Sequence, residues 1–227
     1  MALELVERAL DIDGLLAGRG GPRFLRLGAT VTIGNYLIPP VIERYRRLYP
    51  DAGISLEVGN TETIAGRVAR FELDLGLIEG DYGDVDLIIS DWFDDELGIF
   101  CSRNHPLAGQ AQWSIDDLLA QEWAVRERGS GTRQTLDRAM RDHWSRWRIG
   151  MEIEQIEAII RLVEAGSMLG CVSKVALADA VASGRLRGVR APDLDLRRKL
   201  YSVVHRQKYM TASMQAFLAL IGAHAPR

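Results

Sequence analysis

From residue 24 onward the chain alternates between short apolar runs and stretches in which apolar residues recur every three or four positions. The first pattern predicts strands and the second predicts helices. A strand over 24–29 is followed by a loop over 30–34, which carries the hydroxyls of Thr30 and Thr32. A helix is predicted over 36–48. Its early Pro39-Pro40 pair is tolerated because first-turn N–H groups have no helical partner. The alternation 54–58 reads as a second strand, residues 60–71 as a helix opened by Asn60, and 73–78 as a third strand. Such βαβ units predict a parallel sheet with right-handed crossovers. Ligands of these sheets bind beyond the carboxyl ends of the strands, where the loops at 30–32 and 78–80 would lie.

Further strands are predicted over 86–90 and 96–101, with Asn104-His105-Pro106-Leu107 ending the second. Ser114 caps a short helix over 115–120, and residues 132–144 read as a longer one. Residues 152–154 form a short strand or bend before a helix over 156–164, which Ala165-Gly166 ends. A buried strand over 169–173 leads into a helix over 174–182 stopped by Gly184. A strand over 199–205 and a helix over 212–223 close the pattern. The Asp94-Asp95-Glu96 run and the arginines Arg185, Arg187, Arg197 and Arg198 read as solvated turns and faces. Before all this, residues 1–18 have helical spacing, and 18–22 (Gly-Arg-Gly-Gly-Pro) breaks it. Such an arm suits packing against something outside the domain.

One stretch carries candidate chemistry. In Arg126-Glu127-Arg128-Gly129-Ser130-Gly131-Thr132-Arg133 two glycines alternate with two hydroxyl residues, and arginines flank them. Glycines let successive N–H groups point at one place. The helix that follows adds its unsatisfied amides and the positive end of its dipole. The stretch reads as a seat for a small anion or carboxylate. It reads equally as a plain helix start capped by Ser130 or Thr132.

The string Leu27-Gly28-Ala29-Thr30-Val31-Thr32-Ile33-Gly34-Asn35-Tyr36-Leu37-Ile38-Pro39-Pro40 resembles the start of the effector-binding domain of LysR-type transcriptional regulators. Five further pieces follow in that family's order: Tyr49-Pro50, the 72–78 run, His105-Pro106-Leu107-Ala108, the 126–133 stretch, and Glu157-Ala158-Ile159 with Val163-Glu164-Ala165-Gly166. The resemblance covers residues 24 to about 225. Gly34-Asn35-Tyr36-Leu37, the 126–133 stretch and His205-Arg206-Gln207-Lys208-Tyr209 resemble a sulfite-responsive, YeiE-like branch, and regulators of carbon fixation share some of these strings.

The resemblance implies an α/β protein of two Rossmann-like lobes with a central cleft, similar to type 2 periplasmic binding proteins. It places the first regulatory subdomain at 23–99 plus 205–227 and the second at 100–204. Residues 1–22 then match the last turns of a linker helix, and the sequence would be a piece of a longer regulator. The implied effector is a small anion, a sulfur oxyanion such as sulfite or sulfate or a small carboxylate. It would sit in the cleft against Thr30 and Thr32 from one lobe and Ser130, Gly131, Thr132 and Arg133 from the other. Asn35, Glu79, Ser102, Arg103, Arg126 and Gln155 are further candidates. A guanidinium such as that of Arg133 can hold two oxygens of an oxyanion at once. Two positions depart from the family. Glu154-Gln155-Ile156 lacks a hydroxyl donor that the family often carries there, and Met168 replaces a glycine.

Composition narrows the alternatives. Net charge is −3 over 227 residues, so this chain lacks the basic face that phosphate backbones require. The resemblance implies that DNA is met only through a separate winged helix-turn-helix domain. No run approaches the ~18 apolar residues of a membrane span, and residues 1–7 lack the basic and apolar regions of a signal peptide. Cys101 and Cys171 have no metal-ligand spacing and read as buried thiols in a reducing cytoplasm. Neither a cofactor nor a metal is expected. The histidines His105, His143, His205 and His224 lie in unrelated contexts, so an enzyme is the weakest reading. A solute-binding protein for a small anion is the alternative to a sensor. Self-association, as a dimer or as a tetramer of the whole regulator, is expected through the helices at 36–48 and 212–223. These carry Ile38, Val41, Ile42, Tyr45, Phe217 and Leu220, although at helical spacing such residues also suit a core.

Overall fold

The computed structural model describes residues 21–223, and the helix expected over 1–18 lies outside them. The chain divides into two compact units. The first takes the described residues up to Ile78, Tyr82–Phe93, and those from Leu200 onward. The second takes Glu79–Asp81 and Asp94–Lys199. The chain therefore changes unit at 93/94 and 199/200, about five residues ahead of the boundaries expected from the family pattern, and it dips into the second unit at 79–81.

In the first unit β1 (Phe24–Thr30) pairs in parallel with β2 (Gly53–Gly59) on one side and β3 (Leu75–Glu79) on the other. Leu27 lies opposite both Leu56 and Leu75. Helix α1 (Pro39–Leu48) covers one face, and α2 (Thr61–Ala69) lies against the other, where Ile64, Ala65 and Val68 are buried with Leu73 and Ile78. Asn60 starts α2 by accepting the Thr63 N–H at 2.9 Å.

The predicted loop at 30–34 is not a loop. The chain turns helical at Val31, and a π-type turn over Ile33–Leu37 follows, closed by the Ile38 N–H bonding the Ile33 carbonyl at 2.9 Å. Pro39 has no N–H to continue an ordinary helical ladder. The extra residue in the wide turn keeps Ile33, Ile38, Val41 and Tyr45 in the core.

Two long elements contain residues of both units. Strand β4 (Leu87–Ser102) is one continuous run of 16 residues where two separate strands were expected. Asp91 to Asp95 broke the hydrophobic pattern without breaking the strand. The other long element is a late strand over Arg197–His205.

In the second unit, Ser114 and Asp117 form a capping box at α3 (Ile115–Leu119). Strand β5 (Glu122–Arg126) pairs in parallel with β6 (Arg148–Ile153) and with β7 (Leu169–Ser173). Strand β4 pairs antiparallel with β7, Leu97 opposite Ser173. It also pairs antiparallel with β8 (Leu186–Val189), a strand the sequence reading passed over as a basic surface.

Helix α4 (Gly131–Ala139) stops at Met140 and gives way to a single tight turn over Arg141–His143, short of the expected end at 144. The turn lets Trp147 reach the core, edge-on to Trp123 at 5.9 Å, while Trp144 stays half exposed. Helices α5 (Ile156–Ala165) and α6 (Lys174–Ala182) follow β6 and β7. With the late strand as β9, the final helix is α7 (Ala212–Gly222). Cys101 and Cys171 are buried free thiols, and burial pushes them up to about 11 and about 12 respectively.

The expected self-association face needs correction. Ile38, Val41, Tyr45, Phe217 and Leu220 are core residues of the first unit, with Phe217 edge-on to Tyr45 at 5.6 Å. Only Ile42 of that set is part-exposed. α1 and α7 use these side chains on each other and on the sheet. What α1 leaves exposed is Pro39, Pro40, Glu43, Arg44, Arg46, Arg47 and Leu48.

Candidate functional site

The second unit gathers three helix starts at one end of its sheet. β5, β6 and β7 run parallel, so α4, α5 and α6 all begin at their carboxyl ends, the side where open α/β sheets meet ligands. The loop from Arg126 to Ser130 joins β5 to α4, and Gly129 turns it at φ 86°. Gly131 then fits where no other residue could, because a Cβ there would land on the Glu79 carbonyl.

Ser130 occupies the N-cap position of α4, but its side chain makes no cap bond. The hydroxyl is buried and has no hydrogen-bond partner in the protein. Buried polar groups are as a rule partnered, so such a donor is informative. The first helical bond runs from the Gln134 N–H to the Ser130 carbonyl at 3.0 Å. The amides of Gly131, Thr132 and Arg133 precede it and have no partner within the helix.

The other candidates on this stretch are committed to the protein. Thr132 donates to Glu79 Oε1 at 3.1 Å and accepts from Arg198 Nη1 at 2.9 Å. The Arg133 guanidinium is buried, held by Asp137 at 2.7 Å, by Glu152 at 2.8 Å and by the Arg126 carbonyl at 3.0 Å. Its bond to Glu152 holds that carboxyl below the usual range. Arg126 forms a two-pronged pair with Glu127 at 2.8 and 3.0 Å, leaving its Nη1 buried and without a partner.

Two residues central to this region were missed. Arg198 and Asp95 are buried, not solvated. Arg198 donates to Asp95 at 2.7 Å and pairs with Glu79 at 3.1 Å, while Ser173 donates to the other Asp95 oxygen at 2.7 Å. The signal was strand alternation: Asp95 shares parity with buried Leu97 and Ile99, and Arg198 with buried Leu200.

The remaining predicted residues scatter. Ser102 lies opposite Leu186, at the far end of β4 from Leu97 and Ser173, and its hydroxyl donates to the Glu164 carbonyl at 3.2 Å. It is therefore not brought to the 126–133 loop, and Arg103, next in the chain, is exposed. Gln155 is exposed at the start of α5, at the same sheet end as the loop, and makes no cap bond. In the first unit Thr30 ends β1 with a buried hydroxyl that has no hydrogen-bond partner. Thr32 is buried just before the π-type turn, and Asn35 is exposed on it. Met168, the departure from the family glycine, packs its Cε into the space a Cβ on Gly150 would take, so it acts through packing.

The chain belongs to the LysR substrate binding domain family, matched over residues 19–226. It is 37% identical to the HTH-type transcriptional regulator YeiE of Escherichia coli K12, over 96% of this chain and 73% of that protein. It is 30% identical to the HTH-type transcriptional regulator CysL of Bacillus subtilis, over 87% of this chain and 66% of that one. Among solved structures it resembles the Synechocystis CcmR regulatory domain in complex with 2-PG, with TM-score 0.81, 28% identity, and coverage of 88% of this chain and 96% of that one. These relatives are transcriptional regulators, a non-enzymatic family, which favours a regulator's effector-binding domain over a solute-transport protein. Among the described residues no helix is long and apolar enough to cross a membrane.

Proposed function

We propose that this domain senses a small oxyanion or carboxylate, and that the loop 126–130 and the first turn of α4 form the anion's seat. The observation that carries this reading is the Ser130 hydroxyl, a buried N-cap group that neither caps nor bonds elsewhere. A helix N-terminus with such a donor and three amides ahead of the first helical bond suits an anion. Arg126 Nη1 is a further unpartnered donor at the carboxyl end of β5. The CcmR relative binds 2-PG, and the resemblance of the 34–37, 126–133 and 205–209 strings makes sulfite and sulfate the first probes. The regulator carrying this domain would work in the cytoplasm as a dimer or tetramer and meet DNA through a helix-turn-helix domain.

Calorimetric titration of the protein with sulfite, sulfate, phosphate and small carboxylates tests the reading. At least one is expected to bind, and Ser130→Ala is expected to weaken it tenfold or more, about 1.4 kcal/mol. Equal affinity in wild type and Ser130→Ala would remove the site.

A further inference from the structure

The charges around the seat restrict which anion it admits, an inference that rests on the 126–133 loop being the seat. Three buried guanidiniums lie on or beside it, and each is already answered. Arg126 pairs with Glu127, Arg133 with Asp137 and Glu152, and Arg198 with Glu79 and Asp95. Three cations thus meet five carboxylates. The exposed Arg128 on the same loop reduces the excess to one negative charge. What remains for a ligand are neutral or neutralised donors: the Ser130 hydroxyl, the unpartnered Nη1 of Arg126, and the first amides of α4. Several convergent donors can hold one negative charge, but no buried cation is in reserve for a second.

We infer that the seat selects singly charged oxyanions, such as a sulfonate, bisulfite or a monocarboxylate, against dianions of the same size and shape. A second ligand charge faces the local negative excess. At an effective dielectric of about 20, such a repulsion is on the order of a tenfold loss of affinity.

Methanesulfonate and sulfate test this directly. Both are tetrahedral, similar in size and of fixed charge near neutral pH. In calorimetric titrations at constant ionic strength, methanesulfonate is expected to bind about tenfold more tightly than sulfate. Glu152→Gln removes one half-exposed carboxylate and is expected to raise sulfate affinity several-fold while changing methanesulfonate less. Sulfate binding as tightly as methanesulfonate would overturn the selection and leave the seat standing. Failure of methanesulfonate, acetate, sulfite and sulfate alike to bind would overturn the seat itself, and the selection with it.

Discussion

Ser130 shows how little a residue's type says about its task. A serine before a helix is ordinarily a cap, and replacing it by alanine costs about 1 kcal/mol. Here the hydroxyl makes no cap bond and is buried without a partner. Ser130→Ala is therefore expected to leave the thermal midpoint unchanged or slightly raised even as it weakens anion binding, a split that melting curves and titrations on the same variant would reveal. Asp74 is the opposite case. It is buried in the first unit, takes two hydrogen bonds from the Arg26 side chain and pairs with Lys208 at 2.9 Å. Burial pushes its carboxyl up, but Arg26 and Lys208 outweigh that and hold it below its ordinary value. A carboxyl lowered by folding contributes stability above its unfolded pKa, about 3.9, and loses it as pH falls through the lower folded value. Asp74→Asn leaves two cations without their carboxylate. Urea titrations should show a loss of about 3–5 kcal/mol at neutral pH and a shallower decline of stability in acid than wild type.

At the scale of elements, legibility followed the strength of local pattern. The strands at 24–30, 53–59 and 169–173 were readable as short apolar or alternating runs bounded by breakers, and the helices at 156–165 and 174–182 as longer stretches between a polar start and a glycine. The errors fell where a tertiary contact overrode that period. Asp91 to Asp95 interrupt the apolar pattern of β4, yet the strand continues because Asp95 is answered by Ser173 and Arg198. Trp147 ends the predicted long helix by claiming a core place beside Trp123. The candidate site divided in the same way. The loop and its helix start were visible from glycine and hydroxyl spacing. Asp137 lies one helical turn beyond Arg133, but Glu152, Glu79 and Asp95, which complete the pairing of Arg133 and Arg198, come from positions remote in sequence that no local pattern announces. The start of α4 also yields a sharp expectation. Because a Cβ at position 131 would strike the Glu79 carbonyl, a backbone atom that cannot rotate away, Gly131→Ala should cost about 1–3 kcal/mol in urea unfolding. It should also weaken anion binding by displacing the first turn. A fully stable Gly131→Ala protein would mean that 79–81 and α4 are less tightly packed than described.

At the scale of the whole molecule, the relatives are longer than this chain, which spans 73% of YeiE, and they are named as DNA-reading regulators. An effector can shift such a regulator only by as much as it binds one state better than another. The coupling must also be reciprocal: if the anion changes operator affinity by some factor, operator DNA changes anion affinity by the same factor. Typical couplings of about 1–3 kcal/mol correspond to roughly 5–150-fold. Titrating the anion into the complete regulator with and without saturating operator DNA measures one side of this cycle, and titrating DNA with and without the anion measures the other. The two factors are expected to agree within error in the wild type. In Ser130→Ala the anion's effect on operator affinity should appear only at anion concentrations roughly tenfold or more above those the wild type needs. An anion that binds this domain tightly but changes operator affinity by no measurable factor would be a ligand and not the effector, since equal affinity for both states shifts nothing however strong the binding.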